Sequence, residues 1–392
     1  MFLCLTWGDC TRPALYSGAR GREQAAPCHM PVMNTLHTAG RGQGTRRAAS
    51  ILEEGKSMKL WWNVAMPALV AGVLAAGAPT PASAQGTIKM DGSSTVFPIA
   101  EALAEEYQIS KRGKVRVTVG IAGTGGGFKK FCRGETDMSN ASRPIFKEEM
   151  EACRAAGIKY LEIPVAFDAL TVVVNPQNTW VKTMTLADLK KMWEPAAQGR
   201  VTTWKQVRAE WPAERLMLFG PGADSGTFDY FTEAVNGKAK ASRGDYTASE
   251  DDNTLVQGVE NNKSALGYFG FAYYAAHKDK MRAVPIDGGR GQGPVSPSLE
   301  AVTKGTYNPL SRPLFVYVKE ESLKRPEVKE FVKFMLTEGG ALVAEVGYLP
   351  LPDKAYELAW RHVETGKLGS VFGGVPEVGV TIDDLLAREG KL

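Results

Sequence analysis

The sequence is poor in the residues that build metal centres and redox sites. Its 392 residues include 4 histidines and 5 cysteines, and no His or second Cys pair stands at the close spacing that zinc ligands need. After residue 84 only His277, His362, Cys132 and Cys153 remain. No metal or cofactor is expected. A charge imbalance is missing as well. The formal +4 of the chain is carried by residues 1–84, which hold 8 basic and 4 acidic side chains, and the remainder has 39 of each sign. Without a basic field, neither nucleic acid nor a membrane surface is a natural partner.

No run is apolar enough to anchor the chain. The stretch 66–78 has 13 residues interrupted by glycine, whereas a bilayer span needs roughly 20. It follows Met58 and Lys59 and precedes Ala82-Ser83-Ala84, which is the order of a secretory signal peptide: positive head, apolar stretch, small-residue cleavage site. Cleavage after Ala84 would leave Gln85 first. No cysteine follows the apolar run, so a lipoprotein anchor is not available, and the mature chain is expected in the periplasm with no membrane insertion. Residues 1–57, rich in Gly, Arg and small polar residues and without apolar periodicity, read as a disordered or non-native extension. Disulfides persist in exported proteins, so Cys132 and Cys153 are expected to pair.

What is present is an alternation of strands and helices. "GTIKMDGSST" reads as a strand into a turn, "VFPIAEALAEEYQIS" as a helix, "KVRVTVGIAGTGGG" as a strand into a glycine loop, and "FKKFCRG" as the next helix start. "KYLEIPVAFDALTVVVN" reads as one or two buried strands, and the pattern restarts after "TLADLKKMWE". "RPEVKEFVKFMLTEGGALVAEVG" reads as one long amphipathic helix. Strands alternating with helices give α/β sheets covered on both faces. No fixed-period repeat is present.

Three loops share one design. "DGSSTVFP" (91–98), "AGTGGGFKKF" (122–131) and "GADSGTFDYF" (222–231) each follow a strand, combine Gly with Ser or Thr, and open a helix. A helix start offers unpaired N–H groups and a partial positive charge, glycine lets the backbone approach, and hydroxyls add donors. Each hydroxyl could equally cap its own helix. Three such loops together suggest an anion site, and a fourth loop, "SNASRPI", adds Ser142 and Arg143; a guanidinium can fork two hydrogen bonds onto an oxyanion. The glycine loop is neither a Walker A motif, because Phe128 follows Gly127, nor Gly-x-Gly-x-x-Gly.

Taken in order, "DGSSTVFPIAEALAEEY", "GTGGGFKKFCRGETDMSNASRPI", "VAFDALTVVVN" and "GADSGTFDYF" resemble the periplasmic phosphate-binding proteins that feed the phosphate ABC transporter, over roughly residues 88–350. The resemblance implies a bilobed periplasmic solute-binding fold (type II), two α/β lobes joined by a hinge with the ligand in the cleft. Lobe one would comprise 85–167 plus 285–392 and lobe two 168–284. It implies inorganic phosphate as ligand, permease subunits of a phosphate ABC transporter as partners, and a monomer. By position it places Ser94, Thr95 and Val96, then Gly125 and Gly126, then Ser142 and Arg143, then Ser225, Gly226 and Thr227 at the phosphate. The sequence departs from some members of the family, which carry an aspartate where Ser142 stands and an arginine where Pro221 stands. Arg143 would replace the missing arginine. Asp224, with Asp137 behind it, would replace the aspartate that reads the phosphate proton and so rejects sulfate. Other oxyanions, sulfate or molybdate, are the alternative ligands. An enzyme is the rival class, with Ser225 in "ADSGTF" as nucleophile and His277 as base; it leaves the anion loops without a purpose, and no catalytic residue is assigned.

Overall fold

A computed structural model of the chain describes residues 86–391. The signal peptide, its cleavage site and the extension expected before Gln85 lie outside the described residues.

The first half of the chain winds as anticipated: β1 (Gly86–Gly92), α1 (Phe97–Ser110), β2 (Val115–Val119), α2 (Gly123–Cys132), β3 (Met138–Ala141), α3 (Lys147–Ala155) and β4 (Tyr160–Ala169). In α1 the residues Ile99, Ala100, Leu103, Ala104 and Tyr107 are buried, a single stripe at helical spacing. α2 starts at Gly123, earlier than the glycine-loop reading allowed. Within this helix Gly127 is required by close backbone approach, since a Cβ there would lie 2.6 Å from the Cα of Gly92. Cys132 and Cys153 are disulfide-bonded, 21 residues apart, and tie the end of α2 to α3.

The middle of the chain continues with β5 (Thr171–Val174), β6 (Met184–Thr185), α4 (Leu186–Trp193), α5 (Trp204–Val207), β7 (Met217–Pro221), α6 (Gly226–Asn236), β8 (Thr247–Ser249), α7 (Asp252–Glu260), β9 (Ala265–Phe269), α8 (Phe271–Ala276) and β10 (Arg282–Ala283). Then follow β11 (Ile286–Asp287), β12 (Pro294–Val295), α9 (Leu299–Thr303), β13 (Ser311–Lys319), α10 (Pro326–Thr337), α11 (Gly339–Glu345), β14 (Leu349–Pro350), α12 (Asp353–Thr365) and α13 (Ile382–Glu389). The single long helix expected over 325–347 is divided at Glu338, whose φ of −122° leaves the helical range. α12 was not foreseen.

These strands form two principal sheets. One has the order β14-β4-β13-β3-β1-β2, the other β10-β5-β9-β7-β8, and β12-β11-β6 make a small third. β1 runs parallel to β2 and β3, while β13 is antiparallel to β3 and β4. All ten residues of β4 and all five of β9 are buried, as expected of strands covered on both faces. The fold is thus α/β and two-lobed. The chain passes between the principal sheets at Leu170 and again over 284–310. β4 pairs with β13, through a bulge at Leu314 and Phe315, as far as Ala169 against Ser311, so the first sheet reaches two residues beyond the expected boundary at 167.

Candidate functional site

The turn Ser93-Ser94-Thr95, between β1 and α1, is buried, and its three hydroxyls point to three different places. Ser93 Oγ accepts the N–H of Val96, the N-cap residue of α1, at 3.4 Å. Ser94 Oγ donates to Asp252 Oδ1 at 3.2 Å, and Thr95 Oγ1 meets Thr227 Oγ1 at 2.9 Å. One hydroxyl therefore serves its own helix, and two reach elements of the other sheet. The turn is held from behind, because the hydroxyls of Tyr273 and Tyr348 donate to the carbonyls of Ser94 and Thr95. Gly92 makes it possible: its φ is +138°, and a Cβ there would lie 2.2 Å from the carbonyl oxygen of Asn140.

Thr124, in the first turn of α2, accepts the N–H of Ser142 at 3.1 Å and lies 3.3 Å from Ser142 Oγ. Both hydroxyls face the start of α6, where a Cβ on Gly226 would fall 2.4 Å from Thr124 Oγ1 and 2.7 Å from Ser142 Oγ; only glycine fits. Ser225 caps α6 by accepting the N–H of Thr227. Gly125 donates its N–H to the carbonyl of Asp224 at 2.7 Å, with Gly126 next in the same turn. The starts of α1, α2, α6 and α7 therefore meet at one point, contributed by both principal sheets. That is where parallel strands of an open α/β sheet end and where anions are received.

The charge at this point comes from Arg312, in β13. It has no solvent exposure, and neither has its partner Asp168, which sits opposite it on β4. Arg312 Nε and Nη2 donate to Asp168 Oδ2 at 3.2 and 3.0 Å, and Nη1 donates to the carbonyl of Ser142 at 3.1 Å. Nη2 also reaches Thr227 Oγ1 at 2.9 Å and Thr95 Oγ1 at 3.4 Å. The second ionisable group is Asp252. Its Oδ1 accepts from Ser94 while Oδ2 is buried with no partner, and burial pushes its carboxyl up to about 7.

The side chains of the remaining expected site residues are engaged by other partners. Arg143 is buried but spent: Nε donates to Asp229, Nη1 to Glu149 and the Pro144 carbonyl, and Nη2 to Glu149, all at 2.7–3.0 Å. Its guanidinium also stacks 3.6 Å from the Phe146 ring centre. With two carboxylates on one cation it has no surplus charge for a ligand. The Asp224 side chain is 41% exposed and paired with Lys129, so it lacks the desolvation that proton reading needs. Asp137 precedes β3, at the opposite end of the sheet, and is taken by Lys89 N–H, Ser322 and Arg325. His277 Nδ1 contacts the Tyr273 carbonyl, and no hydrogen bond among the described residues joins it to Ser225. No cluster of three or more His, Cys, Asp or Glu able to hold a metal occurs among the described residues.

The site can be set beside known proteins. A family model described as a PBP superfamily domain matches residues 77–338. The chain belongs to the PBP superfamily. SphX of Synechococcus elongatus is 53% identical over 79% of this chain and 91% of its own length. The phosphate-binding protein PstS of Staphylococcus haemolyticus is 41% identical over 70% of this chain and 84% of its own. A Clostridium perfringens protein assigned as a phosphate ABC transporter substrate-binding protein and solved with bound phosphate is 28% identical, covers 68% of this chain and 100% of its own, and superposes with a TM-score of 0.58. The chain is a member of this family of phosphate-binding proteins.

Within that family frame the residues that the loop motifs did not reveal are Arg312, Asp168 and Asp252. Arg312 carried a usable signal, an arginine at the start of the otherwise apolar strand "PLFVYV", since a charge in a strand buried on both faces requires a partner. Asp252 carried none, because its environment is made by Ser94, 158 residues away.

Proposed function

We propose that the protein binds inorganic phosphate outside the cytoplasmic membrane and delivers it to the membrane subunits of an ABC-type importer, and that it is not an enzyme. The observation that carries this reading is the convergence of four helix starts on Thr95, Thr227 and the buried Arg312. Thr95, Thr124, Ser142 and the N–H group of Gly226 donate to the phosphate oxygens, Arg312 supplies the formal positive charge, and Ser94 holds Asp252 beside them. This needs no metal: backbone dipoles, hydroxyls and one guanidinium suffice for a tetrahedral oxyanion. Asp252 reads the proton. Its unpartnered oxygen accepts an O–H from hydrogen phosphate, whereas sulfate brings no proton and leaves the carboxylate facing an anion. The names of the SphX and PstS relatives support the choice of ligand.

The lobes of this reading are 85–167 plus 285–392 and 168–284, with β4 carrying the sheet of the first lobe on to Ala169. The leader over 58–84 is removed after Ala84, placing a monomeric mature chain in the periplasm; no helix among the described residues is long and apolar enough to cross a membrane. Calorimetric titration of the mature protein with phosphate, arsenate and sulfate tests the function. Phosphate and arsenate should bind at one site and sulfate should not. Equal binding of sulfate, or no heat with phosphate, would overturn it.

A further inference from the structure

The groups around Arg143 do something other than hold the ligand. α6 follows β7 in the five-stranded sheet, and the β3–α3 loop belongs to the six-stranded sheet. The two face each other in register: Ser142 lies against Gly226, and the next residue, Arg143, pairs with Asp229 one helical turn further along α6. This ion pair therefore joins the two lobes directly beside the candidate site, at 2.7 Å, with 2% and 1% of the two side chains exposed. Its side chains share no hydrogen bond with the groups assigned to the phosphate.

Its construction is asymmetric. The guanidinium is already fixed within its own lobe by two bonds to Glu149 and by the Phe146 ring, so the entropy of ordering a long side chain is spent before the lobes meet. Asp229 comes from the other lobe. Its second oxygen, Oδ1, is buried without a partner, and burial raises its pKa. Pro376, Glu377 and Val378 of the C-terminal segment line the cavity around the pair together with Tyr230 and Glu233, and Gly379 donates its N–H to the Tyr230 hydroxyl. The pair is shielded from water. A second ion pair between the lobes, Lys129–Asp224, is 62% and 41% exposed, where screening leaves it little strength.

Resting on the phosphate-binding reading above, we propose that Arg143 and Asp229 form the latch of the closed state: a positioning pair that sets how long the lobes stay shut over the ligand. Two-lobed binding proteins close by hinge motion, and truncating one partner of a buried charge pair acts mainly on dissociation.

The test compares wild type, Asp229→Asn, Asp229→Glu and Lys129→Met, measuring release of radiolabelled phosphate into excess unlabelled phosphate, radius of gyration without ligand, and melting without ligand. Asp229→Asn should release phosphate about tenfold faster or more, expand the ligand-free protein, and leave its ligand-free melting close to wild type. Asp229→Glu, which retains the charge, should recover part of the residence time, and Lys129→Met should stay within about twofold. Equal release rates and radii for wild type and Asp229→Asn would overturn the latch, as would faster release matched by an equal loss of ligand-free stability in Asp229→Asn and Asp229→Glu alike. Failure of wild type to bind phosphate would instead overturn the functional reading, and the ligand-free radii would still report on the latch.

Discussion

The tripeptide Ser-Arg-Pro occurs twice, at 142–144 and at 311–313, and both arginines are buried, yet they have opposite uses. Arg143 sits in a loop and is neutralised twice, by Glu149 and Asp229. Arg312 sits in a strand with one carboxylate, Asp168, and spends its other contacts on a carbonyl and the hydroxyls of Thr95 and Thr227. A carboxylate neutralises a guanidinium, whereas a hydroxyl leaves its charge in place and can turn to a new acceptor. The number of carboxylates around a buried arginine thus separates a structural cation from one that can serve an anion.

The largest test of this contrast is to remove each cation in turn. Arg312→Met should weaken phosphate binding at least about 30-fold by calorimetry, since truncating one partner of a buried charge-assisted contact costs about 2–5 kcal/mol. Arg143→Met leaves two carboxylates uncompensated and should cost about 3–5 kcal/mol of folding stability in denaturant titration. Its phosphate affinity, measured where the protein is still folded, should fall by less than that of Arg312→Met. Loss of binding in Arg143→Met with full stability retained would reverse the two roles.

A smaller effect concerns selectivity. Asp252→Asn should let sulfate compete with phosphate, because an amide imposes no buried anion on a ligand without a proton. In wild type the same competition should grow as pH falls below about 7, where the Asp252 carboxyl takes up its own proton. If sulfate is excluded equally by Asp252→Asn, the proton reader is another group.

Carboxylates with no arginine at all extend the comparison. Glu162 is buried, bonded to the Tyr317 hydroxyl and the Val371 N–H, and raised by desolvation to about 7. Glu389, on α13, is raised by desolvation and by Glu162 to about 8. The neighbouring His362 is lowered by burial, which keeps it from supplying a compensating charge. Both carboxyls have folded pKa values above the ordinary value of 4.5. Their contribution is fully present below about 4.5 and is lost as pH rises through about 7 to 8. Glu389→Gln should therefore raise the melting temperature at pH 8 and flatten its fall between pH 5 and pH 8. An unchanged pH profile would show that Glu389 is ionised in the folded protein at no cost.

Much of this protein is written locally in its sequence. The alternation of apolar strands with helices, the Ser and Thr residues at helix starts, and the positive φ at Gly92 each act over a few residues, through backbone geometry and capping, so the two-lobed α/β fold and three of the anion loops could be read directly. Pairing of Cys132 with Cys153 followed from their being the two cysteines after residue 84. What only the tertiary structure decided is which buried charge serves the ligand. Arg312 meets Thr227 across 85 residues and Thr95 across 217, and Asp252 meets Ser94 across 158. The ionisation and free valences of such groups depend on burial and on partners brought from other strands, and desolvation belongs to the folded interior, where no local pattern records it.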